Sequence, residues 1–353
     1  MQGRKRVEYI DIAKGIGILL VMLGHILVYE SDEVLAKIQN FIYSFHLPMF
    51  FIITGILCRR YRSWENKSLS ELLKGKLKTL IYPYFIFSAI MVLFHMFLYF
   101  VLHMGTYEEI PNIISMTIKF EGYGVLWYLF VLFIAIMMFY IFEKLKWNRY
   151  IVLTLLIFSG SFFAYQFPMF SAEFGIWNKV ISYYFTRWII SCSYIYIGYL
   201  SASILQWDIW KNKMICTITG LLMAVLTFIL CQFNGKPDLC IVRMNNAVMY
   251  YLFAIMGAFS VILLCKGFEK ILGVLKFTGK NSLIIMVTHG DLVVYVLVIV
   301  RKILTKFSVS GRWEVTVTFL LLLFVEIVIV LVINRWLPFI VKFPDFHRKK
   351  TEI

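Results

Sequence analysis

Arg6-Val7-Glu8-Tyr9-Ile10-Asp11-Ile12-Ala13-Lys14-Gly15-Ile16-Gly17, continuing almost without polar interruption to Gly24-His25, is the stretch that decides the fold class. It is apolar over about the 20 residues that a helix needs to cross a bilayer. Asp11, Lys14, Ile18, Met22 and His25 recur at steps of three and four. On a helix they share one stripe, with His25 about 16 Å beyond Lys14. An ionisable side chain near a bilayer centre costs at least about 2.5–3.5 kcal/mol, so the stripe must face protein or a water-filled cavity. On polarity alone, Asp11 and Lys14 read equally well as an interfacial pair, and His25 as a hydrated histidine at the outer end.

The rest of the chain repeats the pattern. Of 353 residues, 61% are hydrophobic and 16% charged, a balance that excludes a soluble globular domain of this size. Apolar runs fall near 10–29, 41–58, 79–102, 123–142, 150–168, 182–205, 214–231, 247–265, 283–300 and 315–334. The expectation is an all-α integral membrane protein of about ten transmembrane helices around a polar cavity. With residues 1–9 taken as inside, the inner segments carry 24 Lys and Arg against 9 in the outer loops, which puts both termini in the cytoplasm. The same asymmetry accounts for the net charge of +15 without nucleic acid. Two features run against it: Arg187 interrupts the sixth run, and Arg301, Lys302, Lys306 and Arg312 crowd the last outer loop.

No Pro/Gly/Ser-rich linker divides the chain, so residues 1–353 read as one polytopic domain without a soluble appendage, and the first run reads as a retained helix. The absence of an internal repeat counts against a transporter built from inverted halves. Six cysteines lack metal-ligand spacing, and only Cys231 and Cys240 flank a loop in a way that would let them pair. No HExxH, EF-hand or nucleophile-elbow pattern occurs, and no metal is expected.

Four further blocks carry chemistry. Phe45-His46-Leu47-Pro48 opens the second run, where Pro48 frees a backbone carbonyl beside His46, and Thr54-Gly55 closes it. Arg59-Arg60-Tyr61-Arg62 and Lys74-Gly75-Lys76-Leu77-Lys78, with Lys67 between them and ending in Tyr82-Pro83, put seven cations in one inner segment. Topology alone explains part of that excess. Gly124-Val125-Leu126-Trp127-Tyr128 begins the fourth run, where Trp and Tyr are also ordinary interface residues. Phe277-Thr278-Gly279-Lys280-Asn281-Ser282 leads into a run through His289-Gly290-Asp291, with Ser282, Met286 and His289 on one helical face. It fails as a nucleotide loop, because five residues instead of four lie between Gly273 and Gly279 and Asn follows the Lys. His95 and His103 read as interface residues, and Arg187 and Glu326 as two isolated intramembrane charges able to pair with each other.

Taken in order, these blocks resemble the signature of the membrane-bound acyltransferase 3 family. Lys14 departs from the family's usual Arg, and Thr54 from its usual Ser. The resemblance implies that His25 is the catalytic base with His46 lining the site, and that Asp11, at the acidic motif position, orients the polar stripe from too far along the helix to touch His25. It implies that Lys14, Arg59, Arg60, Lys76 and Lys78 hold the phosphates of an acyl-coenzyme A donor at the cytoplasmic mouth. Trp127, Ser282 and His289 would then line the acceptor site.

The expected activity is O-acyl transfer, with acetyl as the expected group, from acetyl-CoA to a hydroxyl of an extracytoplasmic or lipid-linked cell-envelope glycan at the plasma membrane. The alternative is a proton-coupled transporter or flippase, or a substrate-uptake module, which would use the same intramembrane polar residues among membrane lipids.

Overall fold

The computed structural model describes residues 6–62, 64–173, 183–268, 273–307 and 311–343. Among these, regular structure is helical throughout, apart from one isolated bridge between Asp238 and Arg243. The expected outer loop at 169–181 and the basic tail after Phe343 lie largely outside the described residues.

Helix α1 (Glu8–Leu27) packs against α2 (Glu33–Tyr61), α10 (Ala247–Gly267), α11 (Gly273–Lys280), α12 (Ser282–Leu304) and α13 (Arg312–Trp336). A helix enclosed in this way has protein rather than lipid on most sides, which is how Asp11 comes to be buried. Helix α2 starts eight residues before the expected run. Asp32 caps it by accepting the Leu35 N–H at 3.0 Å, and Pro48 therefore sits in mid-helix. Pro48 has no N–H to give the Ser44 carbonyl, one turn back and beside His46.

The segment after α2 is partly helical. The short α3 (Leu69–Lys76) begins with a reciprocal Ser68–Glu71 capping box and runs through one π turn (Leu77–Ile81) into α4 (Tyr82–Phe100). Within the expected outer loop lies α5 (Glu109–Ile118), followed by α6 (Trp127–Lys144) and α7 (Arg149–Glu173). Helix α8 (Thr186–Ile204) packs against α2, α6 and α7, and α9 (Lys213–Leu230) lies on α10.

Eight of the described helices are long and apolar enough to cross a membrane. The other two expected runs correspond to α7 and α8. Helix α8 is less apolar for a physical reason: Arg187, Ser191, Ser193, Tyr194 and Tyr196 are all buried against other helices, so the segment has little lipid to satisfy.

Close backbone approach fixes the central packing. A Cβ on Gly55 would fall 1.9 Å from the Ile195 carbonyl oxygen, and one on Gly198 1.9 Å from that of Ile52, so α2 and α8 touch through their backbones. Helices α1 and α11 meet in the same way, Gly15 against the Leu275 carbonyl and Gly279 against that of Asp11.

Two pairings that the sequence leaves open do not form. Arg187 and Glu326 do not pair: the Arg187 guanidinium lies 3.9 Å from the centre of the Tyr183 ring, and Glu326 accepts the Thr288 hydroxyl at 2.7 Å. Cys231 and Cys240 are both free, and Cys231 is buried with its thiol on the Phe228 carbonyl. The cations of the last loop are partly neutralised. Arg301 bonds Glu30 at 3.0 Å and also Glu314, and Arg312 reaches Asp32 at 3.4 Å.

Candidate functional site

Three helices bring three histidines together. His25 near the end of α1 and His289 on α12 have ring centroids 5.2 Å apart, and His46 on α2 stands 5.0 Å from the Tyr43 ring. His46 Nδ1 lies 2.8 Å from the Ile42 carbonyl and His289 Nδ1 2.7 Å from that of Ile285, each one turn back on its own helix. A carbonyl only accepts, so Nδ1 carries the hydrogen in both rings, and in the neutral imidazole Nε2 is left as the acceptor. His289 Nε2 is buried without a hydrogen-bond partner.

His25 and His46 open onto one cavity of about 290 Å³, which Trp127, Tyr128, Asp238 and Asp291 also line. Met286 and Gly290 bring α12 to its wall, and His289 backs onto His25. Trp127 sits there because α6 begins at it, and its other side meets the Arg187 guanidinium at 5.1 Å.

Asp238 and Lys236 come from the loop between α9 and α10. Asp238 accepts the Cys240 N–H at 2.8 Å, and Lys236 lies 4.9 Å over the Tyr43 ring. Burial raises the Asp238 carboxyl above the usual aspartate range, against the lowering effect of that N–H. Burial likewise pulls the Lys236 ammonium below the usual lysine range.

Other expected site residues lie elsewhere. Asp11 and Lys14 form a loose pair at 3.9 Å, at the end of α1 that packs on α11. Ser282 starts α12, about 10 Å before His289 at 1.5 Å per residue. Arg59 is about 20 Å along α2 from His46 by the same rise. Its guanidinium is 5.2 Å from the Tyr199 ring and donates to the Tyr199 hydroxyl at 3.3 Å. Arg149, which sequence reasoning did not select, lies 5.1 Å from the same ring and forks onto Glu143 at 2.8–3.1 Å. Arg60 is exposed, Lys76 is half-buried and Lys78 reaches the Phe343 ring at 5.1 Å. The basic end and the histidine cavity are thus separate regions of one bundle.

His95 is a correction. It is 5% exposed, not at a lipid interface, and it bridges Glu109 and Asp291. The sequence offers little sign of this, because the three residues belong to three helices far apart in the chain. Among the described residues, no three His, Cys, Asp or Glu side chains gather as metal ligands.

Chemically, the cavity joins imidazole acceptors, carboxylates and aromatic faces beneath a membrane-embedded bundle, a setting for proton removal from a bound hydroxyl. No curated protein and no solved structure matches the chain. The family model described as an acyltransferase domain matches residues 7–335, nearly the whole chain and every block named above. This chain is therefore a multi-pass membrane protein that belongs to the acyltransferase 3 family.

Proposed function

We propose that the protein is an O-acyltransferase of the plasma membrane. It moves an acetyl group from acetyl-CoA, held at the cytoplasmic end, to a hydroxyl of an extracytoplasmic or lipid-linked glycan. In this reading residues 1–353 are one domain, ten helices span the membrane and both termini are cytoplasmic. The observation that carries it is that His25 and His46, from different helices, open onto the same polar cavity beside Trp127.

The steps follow from the groups present. A sugar hydroxyl is a weak nucleophile at neutral pH, so His25 takes its proton as the oxygen attacks the thioester carbonyl. A C–O bond forms and the carbonyl oxygen becomes an oxyanion. When the intermediate collapses the C–S bond breaks, and the His25 imidazolium returns its proton to the departing thiolate, giving ester and free coenzyme A. His46, with Nδ1–H tied to the Ile42 carbonyl, offers Nε2 as a second acceptor that orients the incoming hydroxyl. Arg59, Arg60, Lys76, Lys78 and Lys14 hold the donor's phosphates. Because this basic end lies away from the histidines, the donor's flexible pantetheine arm must carry the thioester between them. Asp11 orients Lys14.

Purified protein supplied with acetyl-labelled acetyl-CoA and envelope glycan extract tests the reading. Release of free thiol with label entering the glycan is the expected result. A folded protein that binds no acetyl-CoA would overturn it and return the chain to the transporter class.

A further inference from the structure

The cluster around His95 takes no part in the steps above. His95 on α4 places Nδ1 2.6 Å from Glu109 Oε2 on α5 and Nε2 3.1 Å from Asp291 Oδ2 on α12. With both carboxyl groups ionised, each contact is a hydrogen bond only if each ring nitrogen carries a proton, since carboxylates only accept. The ring is also walled edge-on by Phe94 at 5.8 Å and Tyr123 at 5.6 Å. Three helices therefore hold one carboxylate, that of Asp291, in a fixed place.

Asp291 is not sealed by this clamp. Its side chain keeps 19% exposure and lines the cavity that His25 and His46 share. A clamp serving only to join helices would gain nothing by leaving one charged end in a cavity, where a group fixed from behind is instead preorganised for a ligand. A second carboxylate, Asp238, also lines the cavity, and aromatic faces come from Trp127 and Tyr128. Hydrogen-bond acceptors and aromatic surface together complement a ring rich in hydroxyl donors. Two carboxylates also disfavour a ring that itself bears a carboxylate or phosphate.

We infer that Asp291, clamped by His95 and Glu109, is an acceptor-positioning residue: it accepts a hydrogen bond from a hydroxyl beside the one acylated, and selects neutral polyhydroxylated acceptors over anionic ones. The inference rests on the acyl-transfer reading of the same cavity.

The test divides envelope glycan by anion exchange into neutral and acidic pools and supplies each, with labelled acetyl-CoA, to wild type, Asp291→Asn, Asp291→Glu and His95→Gln. The expected result is transfer to the neutral pool by the wild type. In Asp291→Asn the half-saturating glycan concentration should rise about tenfold or more, the effect of losing one hydrogen bond to a charged group. Half-saturation by acetyl-CoA should stay at its wild-type value. Asp291→Glu should recover part of the loss, and His95→Gln should raise the same constant by a smaller factor. A purely structural role would move thermal stability and donor half-saturation together with acceptor half-saturation. Unchanged acceptor half-saturation in Asp291→Asn, or wild-type preference for the acidic pool, would overturn the positioning role while leaving acyl transfer intact. No transfer by the wild type to either pool would overturn the functional reading and this inference with it.

Discussion

His25 on α1 and His289 on α12 face each other with ring centroids 5.2 Å apart, and His289 is anchored through Nδ1 on the Ile285 carbonyl at 2.7 Å. One imidazole is thus held rigidly behind another that opens to the cavity. Replacing His289 with Ala removes that backing without touching the basic end of the bundle. The expected outcome is a fall in kcat of about tenfold or more with the KM for acetyl-CoA unchanged, since positioning losses of this kind act on turnover. Steady-state kinetics with acetyl-CoA varied at fixed glycan will check it, and a rise in donor KM with kcat preserved would contradict it.

Gly55 and Gly75 make a matched pair of tests for backbone contact. A methyl group on Gly55 would meet the Ile195 carbonyl, whereas one on Gly75 in α3 meets nothing within 4 Å. Gly55→Ala should destabilise by about 1–3 kcal/mol, the cost of overpacking. Gly75→Ala should be neutral or stabilising by up to about 1 kcal/mol, because Ala is the better helix former. Midpoints of thermal unfolding in detergent distinguish the two, and equal midpoints would contradict the packing argument.

The hydrogen bond from the Leu35 N–H to Asp32 holds that carboxyl below the usual aspartate range. A depressed carboxylate contributes stability that is complete above its unfolded value, about 3.8, and is lost as pH falls through its folded value. Wild type and Asp32→Ala should therefore differ most in thermal midpoint above that value, and the gap should close as the pH falls well below it. A gap that widens in acid would refute the assignment.

Arg187 and Glu326 are buried at 2% and 0% exposure without pairing with each other. Arg187 is stacked by Tyr183, Tyr184 and Trp127, and Glu326 is tied to Thr288. With no shared partner, the losses from Arg187→Gln and Glu326→Gln should add within about 0.5 kcal/mol. A double variant more stable than either single one would show that they are coupled after all.

Much of this architecture is legible along the chain. The stripe ending at His25 predicts a helix with a polar face, and His46 beside Pro48 and Trp127 at a helix start line the same cavity as His25. Each apolar run falls on a helix, eight of them long and apolar enough to cross a membrane, but run length gives no sign that α8 can bury Arg187 and several tyrosines because its neighbours are protein. Pairings between distant helices leave no periodic trace. His95 with Glu109 and Asp291, and Arg149 beside Arg59, become visible only when the bundle closes. Asp238 in the cavity wall and Lys236 over the Tyr43 ring escape notice for the same reason, since nothing local marks a short polar loop as facing the site.

The central claim is that His25 removes the acceptor proton, and the most direct test compares His25→Ala with wild type in single-turnover transfer from labelled acetyl-CoA. The account predicts that the variant binds acetyl-CoA with unchanged affinity, keeps its thermal midpoint and transfers at least about 100-fold more slowly, the scale of general-base catalysis. Transfer by His25→Ala at the wild-type rate would contradict it and would move the base to another group in the cavity.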